Sequence, residues 1–418
     1  MKVLWITNSI LPELAKALKI KHAPFEGWLI FLSNQLAING IDLTIATTKK
    51  NVEPFFFKGK NIKYYLLNSK KKKGVYDKSL EPQWKDIINQ VKPDIIHLQG
   101  SENSHALALI NTHPNEKYLL SIQGLISVYA RYYKAGLSNK DILKNLTLRF
   151  LLRGDSIFSE QKEFYKRGEL IEKKYFRKIN NFLGRTAWDK AHTKYLNRNS
   201  NYFHCGEILR PSFYTEEAWS FNNCEEYSIF LSQGNYPLKG FHQVLKAVAL
   251  IKNDFPKIKI YFAGRDTLLL NKTFKKRIRQ KNYSKYLSKL IKDLQLSDNV
   301  KYLGMLNESE MISAYKKANV FICPSSIENS PNSLAEAQIL GVPCISSNVG
   351  GVSDMIEDKE TGLLYRFEEF EELAEHISYI FTNSSKALSI AKKGREAALK
   401  RHDKTTITND LLKIYKSI

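Results

Sequence analysis

Two acids, Glu328 and Glu336, stand with seven residues between them, one in a polar loop and one inside an apolar helical run. Burying a lone carboxylate costs several kcal/mol unless something pairs with it, so an acid on such a helix asks for a partner. Elsewhere Lys239 precedes Gly240 and the apolar run Phe241 to Ile251, which places an ammonium beside a helix start. Ammonium groups and helix N-termini both favour phosphate. Carboxylates that accept from hydroxyls, an ammonium and free backbone N–H groups together suit a ligand with hydroxyls and negative charge, such as a nucleotide sugar. The plain alternative leaves Glu336 facing water and Glu328 an ordinary loop residue.

Positioning these groups requires strands and helices in alternation. Residues 321–341 read as a buried strand, a Pro/Ser/Asn loop and a helix capped by Ser330, with Pro331 at its first position and Gly341 at its end. Leu334, Ala335, Ala337, Ile339 and Leu340 make that helix apolar nearly all round, and the N–H groups of Asn332, Ser333 and Leu334 open it. Strands are also expected at 227–232, 259–264 and 299–303, the last two followed by Arg265, a candidate further cation, and Met305. A basic helix is expected over 274–294. In the first half, Val3 to Thr7, a long loop with Pro12, Pro24, Glu26 and Gly27, a helix through Trp28, Leu29, Leu32 and Leu36, and Ile41 to Thr47 form a βαβ unit. Loops at the carboxyl ends of such strands are where ligands bind. That makes Gly27, His97 at the end of the strand 95–98, and Gln123 after the strand 118–122 candidates in this half, although a turn glycine and an internally bonded histidine are the ordinary readings.

At 418 residues the chain has room for two domains, and few helix or strand signals over 211–224 place the linker there. The net charge of +22 implies an anionic partner. Part of it lies in 127–184, where Lys and Arg interleave with aromatic and apolar residues, a pattern that suits either a peripheral helix on anionic lipid or helices packed on their own sheet. Lys70 to Lys73 read as a solvated surface run. Four cysteines, Cys205, Cys224, Cys323 and Cys344, form no C-x-x-C pair, and no D-x-D or clustered His/Cys set calls for a metal. No apolar run reaches transmembrane length and the N-terminal one is too short for a signal peptide, so the expectation is a cytoplasmic chain whose membrane contact is peripheral, on the inner face of the plasma membrane. No nucleic-acid motif accompanies the charge.

Glu328 and Glu336 resemble the E-x7-E motif of the retaining glycosyltransferases of the GT-B fold, the glycosyl transferases group 1 or family four. Gly350-Gly351-Val352-Ser353-Asp354 and Thr361-Gly362-Leu363-Leu364 resemble the next two signatures in order, and Lys239-Gly240 resembles the lysine-glycine that holds the donor diphosphate. Gln233 stands where the family has an arginine, and Gln123 where many members have a histidine. His97 resembles the end of a D-x-x-H segment, and 184–189 and 207–211 resemble segments of members that assemble bacterial surface polysaccharide.

The resemblance implies two Rossmann-like, doubly wound α/β domains facing a cleft: 1–212, with a basic helical insertion over 127–184; 225–395; and a final helix, 396–418, crossing back to the first. It implies metal-independent, retaining hexosyl transfer from a nucleoside-diphosphate sugar, without a cofactor, to a saccharide or lipid-linked acceptor. Glu328 and Lys239 would be catalytic. Gln233, Arg265, Met305, Asn332, Ser333, Leu334 and Glu336 would hold the donor, and Gly27, His97 and Gln123 would lie on the acceptor side. A silent nucleotide-sugar-binding scaffold and a sugar-nucleotide epimerase share this architecture and stay open.

Overall fold

The computed structural model describes residues 1–20, 27–72, 74–265, 268 and 280–418. They divide into two compact units, one of Met1–Val128, Tyr165–Pro211 and His402–Ile418, the other of Tyr129–Phe164 and Ser212–Arg401.

The first unit is built on strands β1 (Lys2–Ile6), β2 (Asp42–Lys50), β3 (Phe55–Lys58), β4 (Lys63–Ser69), β5 (Ile95–Gln99), β6 (Tyr118–Ser121), β7 (Asn181–Gly184) and β8 (Asn201–His204). Their order is β3-β4-β2-β1-β5-β6-β7-β8, parallel except for the antiparallel β3–β4 edge. Apolar side chains fill both faces of the inner strands, and β5 is buried along its whole length, as expected where helices cover a parallel sheet on both sides. The helix Lys404–Ser417 belongs to this unit and packs on the helix Gly27–Ile38.

His97, in β5, is tied to that last helix. The Trp5 indole donates to the Tyr415 hydroxyl at 2.7 Å, the same hydroxyl lies 2.6 Å from His97 Nδ1, and His97 Nε2 lies 2.7 Å from Ser121 Oγ. Both ring nitrogens of His97 are thus engaged by hydroxyl groups. Burial holds the His97 pKa far below the ordinary histidine value, at about 3.

The second unit has strands β9 (Glu225–Leu231), β10 (Lys259–Phe262), β11 (Val300–Tyr302), β12 (Ala318–Cys323), β13 (Cys344–Ser347) and β14 (Leu363–Tyr365), all parallel, in the order β11-β10-β9-β12-β13-β14. The chain winds outward from β9 through β10 and β11, then returns to the other side of β9 at β12. The direction of winding thus reverses between β9 and β12, and in open α/β sheets the carboxyl ends of strands at such a reversal are where ligands bind.

Several expectations change. The helix after β12 runs Asn332–Ile339 with Pro331 as its N-cap, one position later than the Ser330 cap predicts; Pro331 has extended backbone, ψ 116°, outside the helix. The basic stretch expected over 127–184 does not behave as one insertion. Tyr129–Phe164 clusters with the second unit because Ala135 O accepts from His242 Nε2 at 2.9 Å, Ile142 O from Asn282 Nδ2 at 3.0 Å and Leu146 O from Lys285 Nζ at 2.7 Å. In the expected linker, Pro211–Thr215 is helical. Part of the helix expected over 274–294 lies outside the described residues, and its remainder forms Asn282–Asp293. Pro24 and Glu26 also lie outside them.

A pH dependence follows from His97. Folded, the ring stays neutral down to about pH 3, whereas unfolded it protonates below its ordinary 6.5. The unfolded chain therefore takes up the proton first, so the contribution is complete above 6.5 and is lost as pH falls through that window. Urea midpoints measured against pH should show a shallower acid slope for His97→Asn than for the parent, by up to about 1.4 kcal/mol per pH unit. Equal slopes would count against a buried neutral ring.

Candidate functional site

The loops after β9 and β12 meet. After β9 the chain makes the short turn Pro237–Lys239, and Gly240, at φ +63°, starts the helix Phe241–Ile251. A Cβ on Gly240 would lie 1.6 Å from Pro324 O in the loop after β12. Only glycine accepts both that backbone angle and that contact. Ser326 N then donates to Leu238 O at 2.8 Å, joining the two loops.

This close approach brings Lys239 and Glu328 together. Their Nζ and Oε1 atoms are 2.5 Å apart, with side chains only 17% and 10% exposed. Ser325 Oγ donates to the same carboxylate oxygen at 2.7 Å. Burial disfavours the Lys239 ammonium, but the charge of Glu328, aided by Tyr236 and Cys323, outweighs it and raises its pKa above the ordinary lysine value. The Glu328 backbone is held too: its carbonyl accepts from Gly351 N at 3.1 Å, and a Cβ on Gly350, at φ +56°, would stand 1.8 Å from that oxygen. The Gly350-Gly351 pair thus serves to seat Glu328.

The remaining donor-side candidates sit along the same sheet edge. Gln233 follows β9 and lies against Gly264, whose N–H donates to Gly304 O at 2.9 Å; Arg265 and Met305 are the next residues after these glycines. Both are exposed. Leu334 N and Ala335 N make the first helical bonds, to Pro331 O, so the N–H groups of Asn332 and Ser333 precede the ladder. Asn332 Oδ1 is buried there without a hydrogen-bond partner among the described residues. Leu334 is fully buried, whereas Glu336 is 8% exposed; the Tyr315 hydroxyl stands between Ser333 O at 3.0 Å and the Glu336 carboxylate at 3.3 Å.

In the first unit the three other candidates are placed differently. Gly27 begins its helix, packed so that a Cβ would meet Arg210 Cγ at 2.5 Å. His97 and Gln123 line a cavity of about 30 Å³, together with Arg185 and Glu207, which form an ion pair. His97, bonded through both ring nitrogens, serves the packing of its unit.

Ser325, Tyr236 and Tyr129 escaped the sequence reading. Tyr236 lies beside the ammonium, its ring centroid 5.9 Å from Lys239 Nζ. Burial, and then the charge of Glu328, raise the Tyr129 phenol above its ordinary pKa. Ser325 and Tyr236 adjoin recognised motifs and were within reach, but nothing near Tyr129 signals its place beside Glu328. Among the described residues no group of three His, Cys, Asp or Glu side chains could hold a metal ion, and no helix is long and apolar enough to cross a membrane.

A mixed α/β chain with these two sheets has the fold of the GT-B glycosyltransferases. Over its full length it is similar to sucrose-phosphate synthase from Thermosynechococcus elongatus (TM-score 0.71, 17% identity, 100% of this chain and 98% of that one). It is also similar to Anabaena Alr3699/HepE, solved in complex with UDP and glucose (TM-score 0.66, 15% identity, 100% of both chains). Residues 214–397 match the family of glycosyl transferases group 1, and this segment, which holds Lys239, Glu328 and Glu336, belongs to that family. Curated relatives include glycosyltransferases of capsule and lipopolysaccharide biosynthesis. One is the capsular polysaccharide biosynthesis glycosyltransferase CapM of Staphylococcus aureus, 31% identical over 124 residues, which are 30% of this chain and 33% of CapM. The chain spans between a third and about half of the length of such relatives.

Removing one member of a buried ion pair leaves the other charge uncompensated, commonly at a cost of about 3–5 kcal/mol. Lys239→Met should therefore destabilise the second unit by about 3 kcal/mol, and adding Glu328→Leu should recover much of that loss. Urea unfolding of both variants tests the pairing. An additive double variant would mean that the two side chains do not interact.

Proposed function

We propose that the chain is a retaining glycosyltransferase that moves a sugar from a nucleoside-diphosphate sugar to a saccharide or lipid-linked acceptor, in the assembly of bacterial surface polysaccharide. The observation that carries this reading is the contact of Lys239 with Glu328 at the strand crossover of a group 1 domain. Departure of a nucleoside diphosphate builds negative charge on phosphate, and the groups that stabilise it lower the barrier most. Lys239 supplies a positive charge that is strongly retained, and the N–H groups of Asn332 and Ser333 open a helix whose dipole has the same sign. The Lys239 ammonium moves from Glu328 to the diphosphate when donor binds. Glu328, held through Gly351 and Ser325, then accepts from sugar hydroxyls, and Glu336 accepts from the ribose.

Gln233 donates hydrogen bonds without charge, so Lys239 bears most of the neutralisation. Front-side transfer lets the leaving phosphate take the acceptor proton, which keeps the anomeric configuration and needs neither a cofactor nor a metal. UDP and glucose in the HepE complex favour a UDP-sugar as donor.

Donor screening by thermal shift should find a stabilising UDP-sugar, since a ligand bound only by the native state raises stability with its affinity. With that donor, Glu328→Gln should lower transfer at least about 10²-fold, the usual size for a charge-stabilising group, and product NMR should show the donor's anomeric configuration. Normal transfer by Glu328→Gln would remove the site assignment, and inversion would remove the retaining mechanism. Saturable nucleotide binding without turnover would favour the silent scaffold, and conversion of donor without acceptor the epimerase.

Peripheral contact with anionic membrane belongs to the same proposal. The helix Leu148–Arg153 buries none of its residues, and Leu148, Leu151 and Leu152 are 52%, 77% and 69% exposed. Lys144 and Arg153 are exposed beside them. Apolar side chains ringed by cations suit the headgroup boundary of an anionic bilayer. Sedimentation with phosphatidylglycerol vesicles should exceed that with phosphatidylcholine, and Leu151→Ser with Leu152→Ser should abolish the difference; equal sedimentation of the parent with both lipids would end the membrane reading.

A further inference from the structure

At the carboxyl ends of β1, β2 and β4 the first unit carries an open cavity of about 550 Å³. That is the size of a small-ligand site. Its rim is basic: Lys49 and Lys50 end β2, and Lys71 and Lys72 follow β4. None of these four ammonium groups has an ion-pair partner among the described residues. Part of the lysine run, solvent-exposed as the sequence reads, thus also forms the edge of this cavity.

Asp77 is the only acid lining the cavity among the described residues, and its charge is engaged by the lysine turn itself. It accepts from Lys70 N at 2.6 Å, Lys71 N at 3.1 Å, Ser69 Oγ at 2.9 Å and Ser79 Oγ at 2.6 Å. Burial opposes its ionisation, but these donors prevail and hold its pKa well below the usual carboxylate range, at about 2. Asp77 therefore fixes the backbone that presents Lys71 and Lys72. Ser104 and His105, at the start of the helix His105–Thr112, line the cavity as well and add the positive end of a helix dipole. Ile10 and Leu80 give it an apolar surface on which a sugar ring can lie.

We propose that this cavity receives the acceptor and that the acceptor carries phosphate, held by Lys49, Lys50, Lys71 and Lys72. The assignment rests on the glycosyltransferase reading, in which the donor phosphates belong to Lys239 in the other unit, so that a second cationic site answers a second anion. Phosphate is favoured over a single carboxylate because four ammonium groups with one engaged acid suit a dianion, and the concave shape suits a sugar phosphate better than an extended polyanion.

Calorimetric titration of the full chain with glucose 6-phosphate tests this, with glucose and glucuronate as parallel arms and UDP as a separate titrant. Glucose 6-phosphate should bind saturably and at least about tenfold more tightly than glucose, since a charge-assisted contact is worth that much or more. Lys71→Ser with Lys72→Ser should lower its affinity at least about tenfold, Lys71→Arg with Lys72→Arg should restore it, and UDP affinity should stay the same in all. Binding no tighter than glucose, or unchanged by the serine pair, would overturn the site. Glucuronate binding as tightly as glucose 6-phosphate would overturn the choice of phosphate. Loss of UDP binding in the parent, with glucose 6-phosphate still bound, would instead sink the glycosyltransferase reading and with it the acceptor role.

Discussion

A lysine and a glutamate that share a nearly dry site depend on each other for their charges. Lys239 and Glu328 come from loops that leave neighbouring strands, and neither could be buried ionised without the other. Much of the surrounding structure secures their meeting. Gly240 lets one loop pass against Pro324, Gly350 and Gly351 grip the Glu328 carbonyl, and Ser326 joins the loops through Leu238. A pair of this kind adds little net stability. In the proposed function its value lies in readiness, because an ammonium already desolvated and already charged meets an incoming phosphate without waiting to acquire either property.

The two sheets share a device and use it differently. Each has a strand from which the winding starts and reverses, β1 in one unit and β9 in the other, and each gathers polar groups at the carboxyl edge beside it. In the second unit this edge bears a compensated ion pair and a helix start. In the first it bears uncompensated lysines around a cavity of about 550 Å³, with Asp77 holding their turn in place. Compensation suits a group that must stay charged while buried, whereas open ammonium groups can remain exposed because water solvates them.

Buried histidines show how far burial governs chemistry in this chain. His97 and His242 each have both ring nitrogens hydrogen-bonded inside their own unit, and each is held neutral, burial being the main cause. His97 stands at a strand end where ligands often bind, yet Tyr415, at the far end of the chain, and Ser121 occupy it. A resemblance at the level of a short motif names the residue and leaves its surroundings open.

Continuous apolar runs such as Phe321 to Cys323 and a lysine-glycine placed between strand and helix are local properties, so strands, helices and the segments bearing Glu328, Glu336 and Lys239 were legible in the sequence. Periodicity and turn chemistry act over a few residues, and there they decide the outcome. Which surfaces bury one another is a property of the whole chain. Tertiary structure alone put Tyr129 beside Glu328, gave Tyr129–Phe164 to the second unit, closed Tyr415 over His97 and set Lys71 and Lys72 along the edge of a cavity. Each of these rests on contacts between residues far apart in sequence, where the free energy comes from excluding water between matched surfaces and no local pattern records the match.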